Sequence, residues 1–365
     1  MMAPHAVIMA GGTGGHVFPG LAVAAVLSAR GWTVSWLGTD SGLEARVVPA
    51  NDIELDCITV QGLRGKGLSG WLLMPFRLLR SIWQAARILR RRRPTIVLGM
   101  GGFASGPGGL AAWLMRRPLI IHEQNAIAGL TNRVLARFAA RVLSGFPGSF
   151  PESVRDETVG NPVREALRKL PAPEQRLAGR QGPVRMLIIG GSQGARALNE
   201  HIPAAVAALP AGRVEIRHQC GARWLEESTA RWESLGLNAR VEVFIEDMAE
   251  AWSWADLAVC RAGALTVAEL AAVGVASVLV PFPAAVDDHQ TANAQFLERE
   301  GAARLLPQER LENGEFDRML DQLTEDRSLL ALMATRARAQ ARPDAAEVVG
   351  DACEAVAGVA QGGAA

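Results

Sequence analysis

The chain contains no tyrosine at all in 365 residues, so no site in it can use a phenol hydroxyl. Cysteine is scarce. The four present (Cys57, Cys220, Cys260 and Cys353) form no CxxC and no cluster with the six histidines, which excludes a disulfide framework and a Cys/His metal centre. They read as reduced thiols. An excess of one charge is missing too: 38 Lys+Arg against 37 Asp+Glu leave a net charge of +1. A global basic field is thereby excluded and no nucleic-acid partner is expected, so electrostatic attraction has to come from a local patch. The uncharged apolar stretch at residues 270–286 is too short for a membrane span and is broken by Gly274, Pro281 and Pro283. No basic n-region precedes the short apolar run 6–10, so the sequence predicts no secretory leader and a protein kept in the cytoplasm. There is no Asp-x-Asp pair. Asp287 and Asp288 are adjacent, and no metal or other cofactor is expected. What is abundant is apolar material, 49% against 21% charged, enough for two packed cores at this length.

Short apolar runs alternate with helical patterns. Residues 7–10, 33–37, 96–98 and 119–121 read as buried parallel strands. Residues 19–29 read as a helix with Pro19 in its first turn and Gly31 as its stop. The pattern restarts with strands at 184–189, 241–244, 257–260 and 275–280 and a helix at 195–209. Alternation of this kind predicts α/β architecture: two Rossmann-like domains with a cleft between them. The Pro- and Gly-rich stretch 144–183 reads as the connection. The expected division is 1–161, 162–344, and a C-terminal helix and tail, 345–365, packing back on the first domain and fraying at 361–365.

Three Gly-rich segments (Gly11–Gly15, Gly99–Gly109 and Gly190–Gly194) follow strands, where backbone N–H groups at a helix N-terminus can hold a phosphate or diphosphate. A dinucleotide oxidoreductase would need a third fingerprint glycine where Val17 stands. Asp40 could be its ribose acid, but His16 and Phe18 occupy places where a pyrophosphate should meet bare backbone. A P-loop kinase is excluded, since no Gly-Lys-Ser/Thr follows any loop. His16, at the mouth of the first loop, can act as a general base near neutral pH or can cap the loop. Glu123 is a rival base. His122-Glu-Gln-Asn125, after a strand, can project at the sheet rim or hold a loop. Ser192 and its following amides fit one phosphate cradle, and the segment Ala264, Leu265, Thr266, Val267, Ala268, Glu269 fits a second. Glu269 is either a ribose-binding acid or a solvated helical one; Arg261 is either structural or a phosphate partner.

A series of motifs resembles one family in order and spacing. They are Gly11-Gly-Thr-Gly-Gly-His16, Gly62-Leu-Arg-Gly-Lys-Gly67, Gly99-Met-Gly-Gly-Phe-Ala-Ser-Gly-Pro107, His122-Glu-Gln-Asn125 and Gly160-Asn-Pro-Val-Arg164. Gly190-Gly-Ser-Gln-Gly-Ala-Arg196, Arg261-Ala-Gly-Ala-Leu-Thr-Val-Ala-Glu269 and Asp288-His-Gln290 continue the series. The chain resembles the MurG family of peptidoglycan N-acetylglucosaminyltransferases from about residue 7 to residue 345. The resemblance implies a GT-B fold and an inverting glycosyltransferase that moves GlcNAc from UDP-GlcNAc to the 4-hydroxyl of MurNAc in lipid I, giving lipid II. It implies an acceptor- and membrane-binding first domain and a UDP-GlcNAc-binding second one. It shifts His16 toward the catalytic role. Thr13, Gly14, Gly15, Asn125 and Gln290 become sugar-donor contacts, with Asn293 assisting, and Arg164, Ile245 and Glu269 become nucleotide contacts. Relatives often carry Tyr where Phe103 stands and His near Ala284, so neither residue here is given a role.

The lipid acceptor requires a membrane face. Residues 71–93 place Trp71, Leu72, Leu78, Leu79, Ile82, Trp83, Ala86 and Leu89 at helical spacing, with Arg77, Arg80, Arg87 and Arg91 expected opposite. The stripe can pack on the sheet or lie on anionic lipid, and the extra Leu73, Met74 and Phe76, with Trp113, Leu114 and Met115 beside Arg116-Arg117, favour an exposed patch. Peripheral binding to the cytoplasmic face of the inner membrane is expected, and the resemblance implies contacts with other cell-wall and division proteins. Another GT-B UDP-sugar transferase and a non-catalytic nucleotide-sugar sensor are the alternatives.

Overall fold

The computed structural model of the chain describes residues 3–60, 74–191 and 193–358. It divides into two units. One runs to Arg164 and takes the chain in again from Pro343; the other is Glu165–Arg342.

Among the described residues the first unit is built on a seven-stranded parallel sheet. Its strands are β1 (His5–Met9), β2 (Thr33–Gly38), β3 (Glu54–Cys57), β4 (Ile96–Gly99), β5 (Leu119–Glu123), β6 (Arg141–Ser144) and β7 (Glu157–Thr158), in the order β3-β2-β1-β4-β5-β6-β7. Successive side chains of β1 point to opposite faces, so both faces must be covered. Ala6 and Ile8 join a core with Val23 and Leu27 of the helix Gly14–Ala29. Val7 and Met9 join the other core, with Ala85 and Leu89 of Met74–Arg92 and Ala111 and Ala112 of Ser105–Leu114. The helix Ala345–Ala357 completes the first core with Val349, Ala352 and Cys353. It is tied to the helix Gly14–Ala29 by Arg30, whose guanidinium pairs with Asp351 at 2.8 Å and Glu354 at 3.0 Å.

The second unit repeats the plan with six parallel strands. They are β8 (Val184–Ile189), β9 (Val214–Gln219), β10 (Ala239–Glu242), β11 (Leu257–Cys260), β12 (Ala276–Leu279) and β13 (Ala303–Leu305), in the order β10-β9-β8-β11-β12-β13. In each sheet the order reverses at the first strand, β1 or β8. That switch point is where open α/β sheets gather ligands at the strands' carboxyl ends, and the two Gly-rich turns lie there. Both units are Rossmann-like, of the α/β class. None of the four cysteines is bonded to another, and burial pushes the Cys260 and Cys353 thiols up to about 12.

The structure moves several expected boundaries. The first helix begins at Gly14, not Pro19, and Pro19 is carried inside it. Glycines and an internal proline both argue against helix, but the start is fixed by Thr13, whose extended backbone (φ −116°, ψ 161°) caps the first turn. β5 runs on through His122 and Glu123 instead of ending at Ile121. β10 lies at Ala239–Glu242, earlier than the expected 241–244. The stretch expected as a bare connection holds β7 and the short helices Glu165–Arg168 and Pro173–Arg176. Here Pro173 begins a helix instead of interrupting one. The motif Gly62–Gly67, Trp71, Leu72, Leu73, Ser192 and the tail 361–365 lie outside the described residues.

Candidate functional site

In the first unit three segments converge on the first Gly-rich turn. Gly14, Gly15 and His16 form the opening of the helix Gly14–Ala29, which has no acidic residue in its first turn and no side-chain cap. Gly12 adopts φ +90°, and its N–H donates to the Glu44 carboxylate at 2.9 Å. Glu44 is fully buried and also accepts from the Thr39 N–H at 3.0 Å and hydroxyl at 2.6 Å. The acid that reaches this turn is therefore Glu44 and not Asp40, and nothing in the sequence marks it. The second Gly-rich segment packs directly against the first. A Cβ on Gly102 would lie 2.2 Å from the Gly11 carbonyl oxygen, and one on Gly101 would lie 2.7 Å from His16 Nδ1. Further along, Gly108 abuts Met9 and Leu37 and Gly109 abuts Leu135, so those two glycines serve packing and not a phosphate.

His16 Nδ1 lies 2.7 Å from Gln124 Oε1. The Gln124 amide nitrogen lies 3.0 Å from His122 Nδ1 and donates to the His122 carbonyl at 3.1 Å, and His122 Nε2 lies 2.9 Å from the Gly160 carbonyl. Asn161 Nδ2 holds the Gln124 carbonyl at 3.0 Å. His122 is completely buried, and that burial lowers it to about 4, so it is neutral at physiological pH.

Glu123, expected as a rival base, is held by the loop that follows it. It is 3% exposed, and its carboxylate accepts from the Asn125 N–H (2.9 Å) and Nδ2 (3.1 Å), Asn132 Nδ2 (2.9 Å) and the Gly129 N–H (3.2 Å). A carboxylate so engaged holds the loop after β5. Asn125 is thereby fixed at the strand end. The Arg164 guanidinium stacks over the Phe18 ring at 5.3 Å.

In the second unit the helix Ala264–Val273 starts at Gly263 (φ −63°, ψ 144°), with no side-chain cap and no acid in its first turn. Ala264, Leu265 and Thr266 therefore offer backbone N–H groups to an anion, whereas the Val267 N–H already donates to the Gly263 carbonyl at 3.0 Å, its side chain is buried in the core, and Ala268 lies one residue further into the helix. Glu269 is not solvated: it is 5% exposed, and Trp252 Nε1 donates to its Oε2 at 3.1 Å. Ile245 is buried. Gln290 Oε1 accepts from the Phe282 N–H at 3.0 Å, and Asn293 Nδ2 donates to the Ala262 carbonyl at 3.1 Å. Arg261 resolves as structural: it donates to the Val280 and Pro281 carbonyls and to Gln308 Oε1. At the third Gly-rich turn a Cβ on Gly194 would strike the Cys220 carbonyl, so that turn is pressed onto the end of β9. Among the described residues no three His, Cys, Asp or Glu side chains gather in a way that could hold a metal ion.

Two Rossmann-like units with Gly-rich turns at both switch points, uncapped helix N-termini and a histidine at one turn suit a glycosyltransferase of the α/β GT-B class. Residues 6–144 match the glycosyltransferase family 28 N-terminal domain and residues 185–349 the family 28 C-terminal domain, and the chain belongs to this family. Its similarity to particular members runs end to end. It is 58% identical, over 96% of this chain and 99% of the other, to the UDP-N-acetylglucosamine--N-acetylmuramyl-(pentapeptide) pyrophosphoryl-undecaprenol N-acetylglucosamine transferase of Alkalilimnicola ehrlichii. The protein of the same name from Marinobacter nauticus is 55% identical over 95% of this chain and 96% of its own. Among solved structures, Acinetobacter baumannii MurG superposes with a TM-score of 0.82 at 43% identity, covering 96% of this chain and 99% of that one.

Proposed function

We propose that this chain is a UDP-GlcNAc-dependent N-acetylglucosaminyltransferase of peptidoglycan synthesis. It moves GlcNAc to the 4-hydroxyl of MurNAc in lipid I and so forms lipid II. The observation that carries this reading is the 58% identity to a transferase of that name across 96% of the chain, both units included. His16 serves as the base that takes the acceptor hydroxyl proton. The freed oxygen forms a bond to the anomeric carbon as the bond to UDP breaks, in one displacement that inverts the configuration. Partial positive charge at the helix N-termini, above all that of Ala264–Val273, offsets the charge growing on the departing diphosphate. Glu269 accepts from ribose hydroxyls, with Ile245 and Arg164 at the nucleotide. Thr13, Gly14, Gly15, Asn125, Ser192 and Gln290 contact the donor.

No described helix is long and apolar enough to cross a membrane. The reading places the enzyme on the cytoplasmic face of the inner membrane through three helices packed side by side, Met74–Arg92, Ser105–Leu114 and Leu130–Leu135. None of the three contains an acidic residue. The expected arrangement of the first is corrected here. Its buried line is Ser81, Ala85 and Leu89, while Phe76, Leu79 and Trp83 face outward on the same side as Arg80 and Arg87. Ser81 and Ala85 are small enough to let the helix seat closely, so its large apolar side chains are left over for another surface. Trp113, Leu114, Leu130 and Val134 extend the patch. Anionic lipid suits such a mixture of apolar and basic side chains.

Incubation with UDP-GlcNAc and a lipid I analogue in the presence of EDTA tests the reading through UDP release. Acceptor-dependent release that is absent with UDP-GalNAc supports it; tight UDP-GlcNAc binding without release would replace it with a sensor.

A further inference from the structure

We infer that Gln124 and His122 are positioning residues that lock His16 into one tautomer, with the proton on Nδ1 and a bare lone pair on Nε2. This inference rests on the proposed role of His16 as base. It starts from two groups that can only accept. The Gly160 carbonyl, 2.9 Å from His122 Nε2, requires a proton on that nitrogen. In a neutral ring His122 Nδ1 must then accept, and it does so from the Gln124 amide nitrogen at 3.0 Å. The His122 backbone carbonyl, 3.1 Å from the same nitrogen, independently demands a donor there. The amide oxygen is therefore turned toward His16, and an oxygen at 2.7 Å from Nδ1 requires Nδ1 to carry the proton. Each link is forced by the one before it.

The direction cannot reverse while His122 stays neutral, and its complete burial keeps it so. A protonated His122 would donate from Nδ1 and flip the amide, and His16 would then hold its proton on the wrong nitrogen. The geometry also makes room for the pair: only a glycine at 101, at φ +92°, leaves space beside His16 Nδ1 and Gln124 Oε1. Because an amide oxygen cannot take the Nδ1 proton away, His16 can gain a proton at Nε2 and return it without any partner rearranging. A carboxylate does this orienting work in hydrolase triads; here a neutral amide, braced by a neutral imidazole, does it without adding charge.

The test combines nitrogen spectra with kinetics on the full chain. Two-bond proton–nitrogen correlations of histidine-labelled protein, with His16→Asn identifying the resonance, should show Nδ1–H and a bare Nε2 in the parent. Gln124→Met should release both tautomers and lower kcat about tenfold, with KM for UDP-GlcNAc changed less than about twofold. His122→Gln keeps one donor for Gly160 and one acceptor for Gln124, so it should retain the tautomer and most of kcat, whereas His122→Leu should behave as Gln124→Met. An unchanged His16 spectrum in folded Gln124→Met would overturn the inference. Release of the tautomer with kcat unaltered would uphold the lock and instead remove His16 from the role of base.

Discussion

Trp252 Nε1 donates a hydrogen bond to Glu269 Oε2 at 3.1 Å, joining two buried side chains from different helices. If Glu269 accepts from ribose hydroxyls, Trp252 sets the direction in which its carboxylate is offered. Trp252→Phe keeps the ring and deletes the donor. We expect KM for UDP-GlcNAc to rise about tenfold or more, the equivalent of at least about 1.5 kcal/mol for one hydrogen bond to a charged group, with kcat altered less than about twofold. Calorimetric titration with UDP should show the same loss. A change confined to kcat would contradict this role.

The contact between Gly102 and the Gly11 carbonyl sets backbone against backbone, which no side-chain rotation relieves. With Gly102 at φ +83°, Gly102→Ala adds left-handed strain to a clash. The first unit should lose about 2–3 kcal/mol in urea unfolding, and turnover should fall at least about tenfold as His16 is displaced. Gly129→Ala is the matched control. Gly129 has negative φ and open space where a Cβ would stand, so it should behave as the parent.

Two histidines make stability depend on pH. Burial lowers His122 and His218 from 6.5 to about 4 each. The unfolded chain then takes up protons first as pH falls, so stability is full above about pH 6.5 and is lost progressively toward pH 4. Between pH 7 and pH 5 each histidine should cost its unit about 2 kcal/mol. His218 also lies between Trp232 Nε1 and Asn199 Oδ1, both at 3.0 Å. Urea midpoints at pH 7.5 and 5.0 read the effect, and His218→Gln should remove the second unit's share while leaving the first unit's in place. Midpoints that do not move over this range would refute the assignment.

For the membrane patch, Phe76→Ser, Leu79→Ser and Trp83→Ser combined remove side chains that are 71%, 62% and 62% exposed, so the fold should survive. Sedimentation with vesicles containing anionic lipid should fall about tenfold or more, while turnover of a water-soluble acceptor stays as in the parent. Equal loss of both activities would point to a structural role for this surface.

Repetition was the part of the fold most open to sequence reading. Two strand–Gly–helix units restarting half a chain apart predicted two parallel sheets, and β8 and β11 begin and end where their apolar runs do. Elements that end in polar residues were not legible. His122 and Glu123 are strand residues because four donors from downstream satisfy the Glu123 carboxylate, and a local pattern cannot see those donors. The same limit hid Glu44 and Trp252, whose partners are 5 to 32 residues away. In the helix Met74–Arg92, periodicity located the helix but misjudged which face is buried, since the face follows the narrow Ser81–Ala85–Leu89 line and not the largest side chains.

The helix Ala345–Ala357 has a consequence for the order of assembly. The first unit's core is missing Val349, Ala352 and Cys353 until nearly the whole chain has left the ribosome, whereas the second unit is one continuous stretch, Glu165–Arg342. During synthesis the second unit can therefore finish folding while the first waits with part of its apolar surface uncovered. The unit translated first is thus the last to close.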